Sequence, residues 1–153
     1  MNRLLDHIYR QLVVDHAKNR RNHRCIDGED VVQLHYKNPT CGDVMTLYMK
    51  LSDKGLIEDI SFIGEGCSIS MASASIMTDL LKGIYVKEAS TLRQAMEKLI
   101  RIGEKPSDCD LGDAIALEGV HKLRARHNCA LMGWQAFDRV LGIVENNRNE
   151  EKQ

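Results

Sequence analysis

Apolar residues at Leu4, Leu5, Ile8, Leu12 and Val13 recur at spacings of three and four, which predicts an amphipathic helix over residues 3–17. The period then changes. Residues 31–36 alternate, with Val32, Leu34 and Tyr36 on one face. Residues 44–51 alternate again, with Met45, Leu47, Met49 and Leu51 inward and Thr46, Tyr48 and Lys50 outward. Ser52-Asp53-Lys54-Gly55 has the composition of a turn, and residues 56–63 supply a third strand. Three consecutive strands with short links predict an antiparallel meander with one covered face.

Beyond Gly66 the chain reads as helix. Residues 68–81 are rich in Ser, Ala, Ile and Met, with Gly83 as a stop, and such small side chains let a helix backbone approach a sheet closely. Residues 87–102 place Leu92, Met96, Leu99 and Ile100 along one stripe that ends at Gly103, and residues 104–112 read as a polar loop. From Leu123 onward, His127, Ala130, Trp134, Phe137, Leu141 and Val144 step by four and three, one long buried helical face. Residues 146–153 form a polar tail expected to fray. Strands first and helices after predict an α+β fold: a three-stranded antiparallel sheet with helices packed on one face, forming one domain over residues 1–153.

Composition narrows the function classes more than it changes the fold. The chain has 153 residues, 43% of them hydrophobic and 28% charged, so one core can form. A net charge of −1 gives no bulk case for nucleic acid or an anionic membrane. No apolar run approaches the ~20 residues of a membrane span. The N-terminal residues lack the apolar stretch of a signal peptide, so a cytoplasmic location is expected. The most basic stretch is Lys18-Asn19-Arg20-Arg21-Asn22-His23-Arg24, which suits a solvated loop or a docking surface for an acidic partner. No aromatics interleave its charges, as single-stranded nucleic acid would require.

Five cysteines in a reducing compartment argue for thiol chemistry or metal binding over disulfides. Cys41 lies in Asn38-Pro39-Thr40-Cys41-Gly42-Asp43, between the first two strands. Pro39 fixes its own φ and biases Asn38 toward an extended conformation, while Gly42 accepts backbone geometry that a Cβ resists. The loop thus offers a thiol and a carboxylate, Cys41 and Asp43. A zinc ion usually takes four ligands, so two more are needed. Cys67 closes Gly64-Glu65-Gly66-Cys67 at the mouth of a predicted helix, where Ser68 or Ser70 can cap and the macrodipole favours a thiolate. Cys129 shares that setting if Asn128 caps the last helix. The candidate ligands are therefore Cys41, Asp43, Cys67 and Cys129. Cys25 and Cys109 have no comparable context and are expected to be non-ligands. His127 falls on the apolar helical face and is expected to be a hydrogen-bonded packing residue.

Taken together, these motifs resemble the U-type (IscU and NifU N-terminal-like) iron–sulfur cluster assembly scaffold family, and within it the SufU-type branch. Ile8-Tyr9-Arg10 through Asp15-His16 and residues 19–22 are similar to that family's opening helix. Asn38 to Asp43 is similar to its first ligand motif, Gly64-Glu65-Gly66-Cys67-Ser68-Ile69-Ser70 to its second, and Arg126-x-x-Cys129-Ala130 with Trp134 to its third. Two positions depart: Arg20 stands where the family usually has proline, and Asn128 where it has histidine or lysine. The resemblance implies a SufE/NifU-like fold and a cytoplasmic partner of a SufS-like cysteine desulfurase and other Suf assembly proteins. It implies a zinc-dependent sulfurtransferase holding zinc through Cys41, Asp43, Cys67 and Cys129, with Cys41 accepting persulfide sulfur. The family's other mode is the alternative, a scaffold that binds iron or assembles a [2Fe–2S] cluster on the same residues. The desulfurase is expected to dock on the first helix and the 18–24 segment. The alternative of another class is a structural zinc-binding adaptor without sulfur chemistry, which would favour four closed Cys or His ligands over an Asp.

Overall fold

A computed structural model describes residues 2–38 and 42–151. Its elements are α1 (Asn2–Lys18), β1 (Val31–Lys37), β2 (Val44–Leu51), β3 (Ile57–Glu65), α2 (Ser68–Leu81), α3 (Val86–Ile102) and α4 (His127–Glu151). The strands form the expected antiparallel meander in the order β1-β2-β3. Register explains the covered face. Val32, Met49 and Ile60 lie side by side across the three strands, as do Leu34, Leu47 and Phe62 in the next row. Leu47, Met49, Ile60 and Phe62 are fully buried beneath α2 and α4.

Helix α2 is buried along almost its whole length, from Ser70 to Thr78 and again at Leu81. A helix lined by Ser, Ala, Ile and Met all round has no solvent face to offer, so it becomes the centre of the molecule. It packs on β3, with α1 on one flank and α4 on another. His16 of α1 ties the layers together, its Nδ1 lying 2.8 Å from Ser75 Oγ and its Nε2 3.3 Å from Asp113 Oδ2. Helix α4 sits against β1, where the Tyr36 hydroxyl donates to Gln135 Oε1 at 2.9 Å.

Several local expectations are corrected. Residues 18–24 are largely solvent-exposed, as a loop should be, but they are not unattached, because β3 is an edge strand whose backbone needs a partner. The segment forms a strap along that edge: Phe62 N–H donates to Asn22 O at 3.0 Å, and His23 pairs with Phe62 in a parallel bridge. Its arginines are occupied, with Arg20 donating to Gly64 O, Arg21 to Asp79 and Arg24 to Asp59. Tyr48, placed outward by alternation, is only 7% exposed, and its hydroxyl lies 3.4 Å from Cys25 Sγ. Beyond the loop at residues 104–111, Gly112–Lys122 and Arg124–Arg126 form 3-10 helix that was not anticipated. Leu111, Ala114, Leu117 and Val120 are all buried. Their spacing of three is the 3-10 period itself. Helix α4 continues through Asn146 to Glu151. Among the described residues, no helix is long and apolar enough to cross a membrane.

Candidate metal centre

Three chain reversals converge at one end of the sheet. The connection between β1 and β2 is pinned at both ends, Asn38 N–H donating to Asp43 O at 2.8 Å and Gly42 N–H to Asn38 O at 3.1 Å. Gly42 closes this turn at φ +73°, in the left-handed region that glycine enters without a Cβ clash. The turn delivers Asp43 into the interior, where it is 8% exposed. Cys41, with Pro39 and Thr40, lies outside the described residues. Where β3 hands over to α2, Gly66 leaves room for the carboxylate: a Cβ there would stand 2.8 Å from Asp43 Cγ, closer than atoms pack.

Cys67 is itself the N-cap residue of α2, extended at φ −68° and ψ 166°, and its side chain makes no capping bond. This corrects the expectation that Ser68 or Ser70 caps the helix. Ser70 instead turns toward the site, donating its hydroxyl to Asp43 Oδ2 and lying 3.3 Å from Cys67 Sγ. Asn128 is not a cap either. Helix α4 begins at His127, and Asn128 Oδ1 accepts from Arg101 Nη2 at 2.9 Å. Cys129 nevertheless falls in the first turn of α4, 1% exposed. The turn is held against α2 by Ser73, whose hydroxyl donates to Ala130 O at 2.5 Å and accepts from Trp134 Nε1 at 3.3 Å.

The outcome is a cluster. One carboxylate oxygen of Asp43 and the Sγ atoms of Cys67 and Cys129 all lie within 4.8 Å of one another. Arg126 closes the outer side. Its hydrogen bond to Cys129, with the nearby Cys67 sulfur, holds the guanidinium pKa above its ordinary value. A cation and the N-terminal ends of two helices therefore surround the donors, a setting that holds anions. Two sulfurs and one oxygen at this separation fit a tetrahedral ion with ~2.3 Å metal–sulfur bonds, whose ligands sit about 3.8 Å apart. A soft–hard donor mix of this kind suits zinc, and thiolates suit iron–sulfur clusters as well.

The remaining candidates stand elsewhere. His127 is 8% exposed, with Nε2 2.8 Å from His121 O and its ring stacked on that of His121, so it is a packing residue. Cys25 is exposed beside Tyr48. Cys109 packs against the core, where burial, with Asp108 and Asp110 close by, pushes its thiol pKa up. Ser70 was expected only as a helix cap, and Gly66 was not connected with the carboxylate. The legible signal for Ser70 was its place three residues after Cys67, one helical turn away on the same side.

Residues 8–130 match the family described as the NifU-like N-terminal domain. The chain belongs to this family. Within it, the chain is 44% identical to the zinc-dependent sulfurtransferase SufU of Bacillus subtilis strain 168, over 92% of this chain and 94% of that protein. It is 41% identical to the iron–sulfur cluster assembly scaffold protein IscU of Streptococcus pyogenes serotype M1, over 90% of this chain and 84% of that one. A crystal structure from Fervidobacterium islandicum AW-1, of a protein proposed as the cluster assembly scaffold of its SUF system, superposes with a TM-score of 0.73 at 29% identity. That likeness covers 84% of this chain and 92% of the crystallised one, and extends the family's fold to the three-stranded sheet and helices seen here.

Proposed function

We propose that this protein is a SufU-type iron–sulfur cluster assembly protein, a zinc-dependent sulfurtransferase that accepts persulfide sulfur from a cysteine desulfurase in the cytoplasm. The observation that carries the reading is the meeting of Asp43 with Cys67 and Cys129. Cys41, two residues before Asp43 in the chain, is the fourth ligand. A carboxylate among thiolates is the easiest donor to exchange, which argues against a purely structural zinc site. Bound zinc would keep the ligand thiols deprotonated and shielded from oxidation.

Cys41 is the sulfur acceptor. Cys67 and Cys129 are built into the starts of α2 and α4, so releasing either would disturb packing. Cys41 stands beside the positive-φ Gly42, which is exposed. The Cys41 thiolate attacks the outer sulfur of the donor's cysteine persulfide. The donor's S–S bond breaks, its cysteine departs as a thiolate, and Cys41 carries the persulfide, with no net electron transfer. Arg126 and the helix N-termini hold the remaining anions in place meanwhile.

Docking falls to α1. Its groove-lining residues Asp6, Tyr9 and Val13 share a wall with Ile69, two residues past Cys67, whereas His16 meets Ser75 further along α2. The start of α1 therefore lies at the metal end, and it exposes Leu4 (69%), Leu5 and Ile8. The strap's arginines are engaged within the protein, so the apolar stripe rather than the basic segment is the contact for the SufS-like desulfurase.

The test is mass spectrometry after incubation with cysteine and a cysteine desulfurase. One added sulfur on the Cys41 peptide is expected, and Cys41→Ser should abolish it. Added sulfur on Cys67 or Cys129 with Cys41 unmodified would overturn the assignment. The likeness to the streptococcal IscU favours a second reading, assembly of a [2Fe–2S] cluster on the same residues. Reconstitution with iron and sulfide, followed by visible absorption, decides between them.

A further inference from the structure

We propose that Ser70 is a positioning residue that fixes the orientation of the Asp43 carboxylate toward the metal. The inference rests on the metal-centre reading and goes beyond it by assigning a role to a residue outside the ligand set. Ser70 is fully buried in the first turn of α2 and is in hydrogen-bond reach of two of the three clustered donors, Asp43 and Cys67. A serine hydroxyl has one proton to donate and two lone pairs. That proton goes to Asp43 Oδ2, so the carboxylate is the group the Ser70 hydroxyl serves as donor.

The consequence is geometric. Oδ2 is held by Ser70, and Gly66 on the flank leaves just enough room for the carboxylate in this orientation. That bond sets the rotation of the carboxylate and so the direction in which Asp43 is presented to the ion. Buried partners of this kind orient a ligand where water cannot replace them. Ser73, one turn later, does not share the task, since it is bonded to Ala130 O and Trp134.

The experiment titrates metal-free protein with zinc against a competing chelator, for wild type, Ser70→Ala, Ser70→Thr, Asp43→Ala and the Ser70→Ala/Asp43→Ala double variant. Ser70→Ala should weaken zinc about 10–100-fold. Ser70→Thr, which keeps the hydroxyl, should recover most of that loss. In the Asp43→Ala background the Ser70 substitution should cost little more, because its route runs through the carboxylate. With cobalt in place of zinc, Ser70→Ala should shift the ligand-field bands while leaving sulfur-to-metal absorption intact. Wild-type zinc affinity in Ser70→Ala, or an equal loss in both backgrounds, overturns the proposal and leaves the metal centre standing. A collapsed thermal midpoint of metal-free Ser70→Ala also counts against it, since that marks a packing role. A wild type that binds no zinc overturns the metal centre itself.

Discussion

The two places where this protein concentrates polar side chains behave in opposite ways. In the strap over β3, every arginine from Arg20 to Arg24 finds a partner within the molecule: a carbonyl at Gly64, and carboxylates at Asp79 and Asp59. At the metal end, two thiols and a carboxylate from three separate elements point at one another instead. Burying like-charged donors together is costly unless something neutralises them, so it marks a site built for a ligand. Charge in sequence therefore misleads here. The conspicuous basic run is tied up in internal pairs, whereas of the three clustered donors only Asp43 enters the formal charge read from the sequence.

The largest effect should come from the two cysteines at helix starts. Cys67→Ala or Cys129→Ala should each lose about a quarter of the metal's binding energy, roughly 3 kcal/mol if zinc is held as in small zinc domains. Stability of the zinc-loaded protein should fall with it. Asp43→Ala should hold the metal more loosely while losing less stability. Chelator competition and thermal unfolding with and without zinc measure both quantities; equal losses at all three positions would erase the ranking.

A smaller effect belongs to Gly66→Ala. Its new methyl must displace the Asp43 carboxylate, since 2.8 Å from Cγ is not a sustainable contact. A destabilisation of about 1–3 kcal/mol is expected, together with weaker zinc binding. Urea unfolding of the metal-free protein reads the first part. An unchanged zinc affinity would mean that the carboxylate has another way to reach the site.

The smallest effect tests the strap. The hydrogen bond from Arg24, helped by its charge and that of Lys82, holds the Asp59 carboxyl below its usual range. A carboxyl whose folded pKa is depressed adds stability above its unfolded pKa of ~3.9, and that stability is lost as pH falls through the lower folded value. Arg24 is 42% exposed and Asp59 25%, so solvent screening limits the gain to about 0.2–1 kcal/mol. Arg24→Gln should remove it at pH 7, flatten the stability curve between about pH 5 and 2, and leave zinc affinity untouched. A change in zinc affinity would break the division between the two regions.

Much of this organisation was legible in the chain. The alternation of Met45, Leu47 and Met49 and the three-and-four stepping of α3 and α4 reported faces that the structure buries, whereas the same stepping at Leu4, Leu5 and Ile8 of α1 marks a face left exposed. The small residues of α2 predict close approach to the sheet, and the structure uses them toward α4 as well, where Ser73 bonds directly to the backbone. The strap was not legible, because nothing in Asn22 or His23 says that an edge strand waits beside them. The 3-10 stretch was not legible as a helix because Leu111, Ala114, Leu117 and Val120 keep to a period of three rather than 3.6. Residue types gave the candidate donors, but the hydroxyl of Ser70 could be placed among them only by the path of α2.

The donors Asp43, Cys67 and Cys129 sit far apart in the chain, and the third arrives only after α3 and the 3-10 stretch have been laid down. Closing long loops is the slow part of assembling such a topology. During synthesis, the first half of the chain can form its meander and α2 while carrying three of the four proposed ligands, Cys41, Asp43 and Cys67. Only the finished chain brings Cys129 into place. Metal capture would then act as a completion check, retained by full-length molecules and withheld from truncated ones.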